Sequence, residues 1–223
     1  MTSSPRIRVV SALSIVAVVV AAAATIPADG MSPAACREEK KARAVMRDAD
    51  GDRIGVVDFW TDAACVTRVV AKIGRFDLSG GGTGLTRGFH GFHVHETGVC
   101  DPDAVDPAED PAPFLTAGGH WSPKVRNHGG HKGDLPPLLA TRTGLARANV
   151  LTDRFDPDDL LDDDGSAVIV HQDPDNLAHI PATEPDGDER YHSHSTNEMG
   201  ADETSRSTGD GGSRFACGVV KRI

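Results

Sequence analysis

All ten histidines of this 223-residue chain lie at or beyond residue 90, and six of them fall between residues 90 and 131. Neutral imidazole is the commonest metal ligand among side chains, so such crowding points first to a metal site. In His93-Val94-His95 the two rings would share one face of a strand, about 7 Å apart, and can converge on one ion. Val168-Ile169-Val170-His171 brings a third imidazole to the end of an apolar run. Three imidazoles suit copper, which accepts nitrogen ligands in tetragonal geometry. A second set, His120, His128, His131 and Asp134, occupies fifteen residues of a glycine-rich segment. Three imidazoles and a carboxylate form a tetrahedral set for zinc, and glycines let the backbone turn tightly around an ion. The competing reading is a histidine-rich solvent loop.

Strands must hold these rings. Short β-type runs occupy residues 42–47, 53–61, 65–73, 89–96, 138–141, 145–151, 167–171 and 215–221. Between the first two lies a turn with Asp50-Gly51 at its tip. Aromatics make up only 4% of the chain, whereas Gly and Pro number 24 and 14. Eight short strands separated by turn formers predict an all-β sandwich or barrel. Residues 97–137 and 172–214 are too long for hairpin turns, and structureless loops of that length are commonly functional. Seven aspartates crowd residues 153–164. Their spacing lacks the pattern of a calcium loop, so a solvated acidic loop or short helical turn is expected.

The chain carries 33 acidic against 23 basic residues, which argues against nucleic-acid binding. Arg6 and Arg8 precede an uncharged apolar run over residues 9–26. This is the pattern of a secretory signal covering residues 1–28, followed by a polar leader at 29–41 and a domain at 42–223. The rival reading is an uncleaved anchor, since 18 residues can just span a bilayer. Pro33-Ala34-Ala35-Cys36 is a poor lipidation box, so a lipid tether is the minority reading. Export favours disulfides among the four cysteines, with three pairings open.

The segments 84–96, 117–120, 131–135 and 209–219 together resemble the Cu,Zn superoxide dismutase family, in its exported bacterial form, and occur in the family's order. The resemblance implies an eight-stranded Greek-key β-sandwich or barrel with two long functional loops. It implies copper held by His93, His95, His120 and His171, and zinc held by His120, His128, His131 and Asp134, with His120 bridging both ions. Asp175 would hydrogen-bond the outer nitrogens of one copper and one zinc ligand, and a Cys100–Cys217 disulfide would tie the first long loop to the last strand. That leaves Cys36 and Cys65 to pair or to stay apart. Arg214 would attract superoxide beside the copper, His120 would serve as proton carrier, and Thr208 would line the channel.

The implied activity is dismutation of superoxide to dioxygen and hydrogen peroxide outside the cytoplasm, by a secreted protein or one attached to the outer face of the cell membrane. The family also admits a homodimer. A copper-delivery domain on the same fold and a metal-free structural sandwich are the alternatives. Residues 180–207 contain no lysine, unlike the charged guiding loop of the animal enzymes. His179, His192 and His194 match no family ligand and are expected to be ordinary surface histidines.

Overall fold

The computed structural model describes residues 36–74, 85–122, 127–183, 187–193 and 196–223. The expected signal, most of the expected leader, the start of the 84–96 motif and His194 lie outside the described residues. The first strand, β1 (Glu39–Asp48), shows how the body is built. Its Ala42, Ala44 and Met46 are fully buried, while the intervening Arg43, Val45 and Arg47 face outward, the period of two that a pleated strand imposes. It begins three residues before the expected Ala42, because Glu39 and Lys40 pair with Thr61 and Trp60 of β2 (Arg53–Thr61).

The chain continues through β3 (Thr67–Ile73), β4 (Gly88–His90), β5 (Phe92–His95), β6 (Leu138–Ala140), β7 (Ala146–Thr152) and β8 (Ala167–His171). The second long loop contains β9 (His192–Ser193), β10 (Glu198–Met199) and the short helix α1 (Glu203–Thr208), and β11 (Arg214–Arg222) closes the chain. One antiparallel sheet runs β4-β6-β7-β3-β2-β1-β11-β8-β5. The β1-β2-β3 meander and the β6-β7 hairpin are joined by connections that cross the sheet, as in a Greek key.

Residues 89–96 do not form one strand as expected. The strand is cut at Gly91, and its halves pair with opposite ends of the sheet, β4 with β6 and β5 with β8. Gly91 instead gives its N–H to the Asp173 carbonyl and accepts from His171 N–H. The two ends of the sheet are therefore consecutive pieces of one chain segment, and the sheet rolls into a nearly closed barrel. Counted along the chain, the expected eight strands are present with the fourth divided.

Phe59, Phe92, Ile54, Val57 and Leu138 fill the interior. β8 is buried at every position. Val168 and Val170 face that core, while Ala167 and Ile169 face a second cluster with Phe114, Ala117 and Cys217. Disulfides join Cys100 to Cys217 and Cys36 to Cys65. The acidic segment contains one turn of 3-10 helix, Pro157–Leu160, which inserts Leu160 into the core. Among the described residues no helix is long and apolar enough to cross a membrane.

Candidate metal centre

β5 is short and fully buried, and its free edge is covered by the first long loop. Glu96 N–H donates to Gly119, Trp121 N–H to Val94, Val94 N–H to Gly133, and Leu135 N–H to Phe92, at 2.8–3.2 Å. This register sets His120 opposite His95 and Asp134 opposite His93. Two loop segments thus deliver ligands to a strand that already carries two.

Four imidazoles, His93, His95, His120 and His171, offer nitrogens within 4.8 Å of one another. Each of the three strand-borne rings is oriented through its other nitrogen. His95 Nδ1–H donates to the Gly118 carbonyl at 2.9 Å and His171 Nδ1–H to the Gly212 carbonyl at 3.1 Å. His93 Nε2–H donates to Asp175 Oδ2 at 2.6 Å. What remains is His93 Nδ1, His95 Nε2 and His171 Nε2, all buried and without a partner among the described residues. Buried polar atoms are almost always satisfied. Three orphaned lone pairs aimed at one point, with a fourth imidazole beside them, fit a nitrogen-loving ion such as copper.

The second set surrounds one carboxylate oxygen. Asp134 Oδ1 lies 2.9 Å from His120 Nδ1 and 3.2 Å from both His128 Nδ1 and His131 Nδ1. His120 Nδ1 and His128 Nδ1 are 3.1 Å apart. A tetrahedral zinc site with arms near 2.0–2.1 Å has ligand–ligand edges of about 3.3 Å, and these four separations are close to that length. His93 also comes within 4.8 Å of His120, His128 and Asp134, a grouping that does not include His131; its Nε2, however, is given to Asp175, and His131 joins the set through Asp134 Oδ1.

The His120 ring stands between the two sets. Its centroid is 4.0 Å from that of His93 and 5.0 Å from His95 on one side, and 4.9 Å from His128 and 5.3 Å from His131 on the other. Nδ1 faces the carboxylate set, which leaves Nε2 for the imidazole set. Asp175 also joins the two. It accepts from His93 Nε2 and, at 2.8 Å, from His128 Nε2.

The electrostatics of the metal-free protein suit ligation. Burial pushes His93 down to about 3 and His171 to about 4, outweighing the bonds to Asp175 and Gly212, and holds His95 well below 6.5. Burial also lowers His120, against its bond to Asp134. These rings are neutral at pH 7, with lone pairs available. His128 differs. Burial resists its charge, but hydrogen bonds to Asp134 and Asp175 prevail and raise it to about 9. Burial likewise opposes charge on Asp134 and Asp175, yet their histidine partners hold both below the carboxylate range.

Arg214 begins β11 and sits over the imidazole set. Its Nη1 and Nη2 donate to the Phe114 and Gly118 carbonyls at 2.5 and 2.6 Å. The Gly118 carbonyl therefore holds both Arg214 and His95. Burial lowers the Arg214 pKa, with Glu96 opposing. A cleft of about 460 Å³ opens here, lined by His120, His171, Thr204, Ser207, Thr208 and Arg214, with Asp210 at its side. Thr208 gives its hydroxyl to the Thr204 carbonyl. The Cys100–Cys217 disulfide packs with Phe114 and Ala117 and so fixes the carbonyls that hold Arg214. His192 lies apart in the β9–β10 hairpin, paired with Glu189 at 2.7 Å, and His179 is exposed.

Two supporting residues escaped the sequence reading. Buried His90 contacts the carbonyls of Thr86 and His171 through its two ring nitrogens. Glu96 accepts from Gly119 N–H at 3.0 Å. It also crowds Gly118 (φ 75°), where a Cβ would fall 2.7 Å from the carboxylate. Their roles depend on main-chain partners distant in sequence; only the histidine crowding around residue 90 hinted at the first.

A nearly closed Greek-key barrel whose seam carries two adjoining ligand sets, with one imidazole between them, defines a two-metal β-barrel protein. Residues 66–220 match the family model described as copper/zinc superoxide dismutase (SODC). The chain belongs to the copper/zinc superoxide dismutase family. It is 38% identical over 176 residues to a superoxide dismutase [Cu-Zn] of Mycobacterium tuberculosis, covering 77% of this chain and 66%, just under two thirds, of that relative. A Salmonella typhimurium superoxide dismutase [Cu-Zn] is 34% identical over 146 residues, covering 62% of this chain and 67% of the relative. Among solved structures, a double mutant of a SOD-like protein from Bacillus subtilis superposes with a TM-score of 0.52 at 21% identity, covering 79% of this chain and 95% of the other. That likeness concerns the fold.

Proposed function

We propose that this protein disproportionates superoxide to dioxygen and hydrogen peroxide, using copper held by His93, His95, His120 and His171 beside zinc held by His120, His128, His131 and Asp134. The observation that carries the reading is the His120 ring, set between three orphaned imidazole nitrogens and the histidines gathered around the Asp134 carboxylate. When bound, copper supplies one-electron redox cycling and zinc a fixed positive charge.

The chain's own residues do the rest. Arg214 keeps donors free for the cleft after binding two carbonyls, and draws in a small anion. His120 holds and releases a proton at Nε2, next to the cleft. His95 and His171 present Nε2 because the Gly118 and Gly212 carbonyls retain their Nδ1–H. Asp175 keeps the tautomers of His93 and His128 fixed. Thr204, Ser207 and Thr208 form a neutral wall to the cleft.

The same reading assigns residues 1–28 to an export signal, 29–41 to a leader and 42–223 to the dismutase domain, in a protein secreted or attached to the outer face of the membrane. Its two disulfides support an oxidising compartment. A copper carrier on the same barrel is not favoured, because it would have no use for a guanidinium poised over the cleft. The test is metal analysis with a dismutase assay on the exported protein. One copper and one zinc per chain with turnover is the expected result; stoichiometric copper without turnover would select the carrier.

A further inference from the structure

Arg154 belongs to neither ligand set, yet it grips the loop that carries three of the zinc ligands. Its Nη1 donates to the His131 carbonyl at 2.9 Å and reaches the Asp134 carbonyl at 3.4 Å, and its Nη2 donates to the Gly129 carbonyl at 3.1 Å. Two of these carbonyls belong to residues whose side chains enter the zinc set. The loop itself is rich in glycine, with Gly129, Gly130 and Gly133 inside eight residues. Such a backbone loses much entropy when it is ordered. The guanidinium offers a rigid, planar fork of charged donors that a carbonyl cluster can use.

The platform under Arg154 is firm. It lies two residues beyond the end of β7, and its neighbour Phe155 is buried against Phe59 and Trp121, with ring centroids 6.4 and 6.0 Å away. The Thr67 hydroxyl of β3 donates to the Phe155 carbonyl at 2.5 Å. A short rigid path therefore runs from the barrel core through Phe155 and Arg154 to the main chain of His131 and Asp134.

We infer that Arg154 is a positioning residue for the zinc site: it presets the 129–134 backbone so that His128, His131 and Asp134 meet at one point. This rests on the zinc reading given above. The test uses the mature protein with Arg154→Met and Arg154→Lys. Groups that orient metal ligands are typically worth about 10–100-fold in affinity. Arg154→Met is therefore expected to weaken zinc about tenfold by chelator competition. Arg154→Lys, a point charge unable to fork, should fall between the two, about threefold weaker than wild type. Cobalt placed in the zinc site should show an altered visible spectrum in Arg154→Met, partly restored in Arg154→Lys, while the melting temperature of the metal-free protein stays close to wild type.

Zinc affinity in Arg154→Met within about twofold of wild type overturns the inference. So does an equal loss of melting temperature in metal-free and zinc-loaded forms with an unchanged cobalt spectrum, which would mark a general structural role. If Arg154→Met does not fold, Arg154→Lys decides alone, and wild-type affinity there overturns the inference. Failure of the wild-type protein to bind zinc would overturn the proposed function as well, whereas normal wild-type binding with unaffected variants removes only Arg154.

Discussion

Replacing Asp175 with alanine should cost the protein its zinc before its copper. The carboxylate accepts from His128 Nε2 with both oxygens at 2.8 Å, from His93 Nε2 at 2.6 Å and from Leu177 N–H at 2.6 Å. Both imidazole side chains are fully buried, so neither N–H can turn to water. An orphaned buried donor costs about 1–3 kcal/mol, and about 1.4 kcal/mol is tenfold in affinity. The two metals should not suffer alike. His93 is held by the β5 pairing whatever its ring touches, whereas His128 sits in a loop and depends on Asp175 for its orientation. Zinc affinity is expected to fall about 10–100-fold, and copper affinity less. Competition with a chromophoric chelator for each metal, alongside circular dichroism to show that the barrel persists, is the measurement. Zinc affinity within about threefold of wild type, or copper weakened more than zinc, would refute the argument from loop-borne ligands.

Arg214→Glu should retain copper but slow turnover at least about tenfold, since it replaces a charged donor worth about 1.5–3 kcal/mol with a repelling group; equal rates at low salt would remove Arg214 from the substrate path. His120→Ala should change the copper spectrum and weaken zinc together, and an unchanged spectrum with intact zinc binding would count against a shared ligand. Replacing both Cys36 and Cys65 with serine should cost about 3–4 kcal/mol by the chain-entropy relation for their separation of 29 residues, with metal content intact. The same change at Cys100 and Cys217, 117 residues apart, should cost about 5 kcal/mol and also lower turnover by loosening the carbonyls that hold Arg214; denaturant titration and assay separate the two cases. Without metals, stability should peak near pH 6.5. Below that, His93 and His171, at about 3 and 4 when folded against 6.5 unfolded, bind protons only on unfolding, so acid destabilises. Above it, the stability that charged His128 contributes is lost as pH rises through about 9. Calorimetry of the chelated protein from pH 5 to 9 checks this, and a steady rise to pH 9 would contradict it.

Ligand chemistry was the most legible part of the sequence, because a metal restricts which residue types can hold it. His93 and His95 two apart on a β-type run, and three histidines with Asp134 among glycines, announce themselves without a fold. The arrangement of the ligands was less accessible. That His120 faces both sets follows from the pairing of the loop with β5, which is a matter of main-chain register. The cut at Gly91 was hidden for the same reason: residues 89–96 read as one β-type run, and only the rolling of the sheet requires its halves to pair apart. Gly91 also has little room, since a Cβ there would fall 3.1 Å from the His93 ring and 3.2 Å from His171. The cysteine spacing left the second bridge open. It forms where β1 starts beside the end of β2, bringing Cys36 to the turn that carries Cys65. Arg154 gave no signal at all, because an arginine that serves carbonyls far along the chain looks like any surface arginine.

The cover over β5 has a consequence for solubility. Strands whose N–H and C=O groups lack partners recruit other chains. In this barrel, the loop that covers the exposed side of β5 is also the one that sets His120 and Asp134 opposite His95 and His93. Placement of those ligands and protection of that strand therefore rest on the same main-chain bonds. A substitution that loosened this loop would scatter the ligands and at the same time bare a ladder of main-chain groups to neighbouring chains.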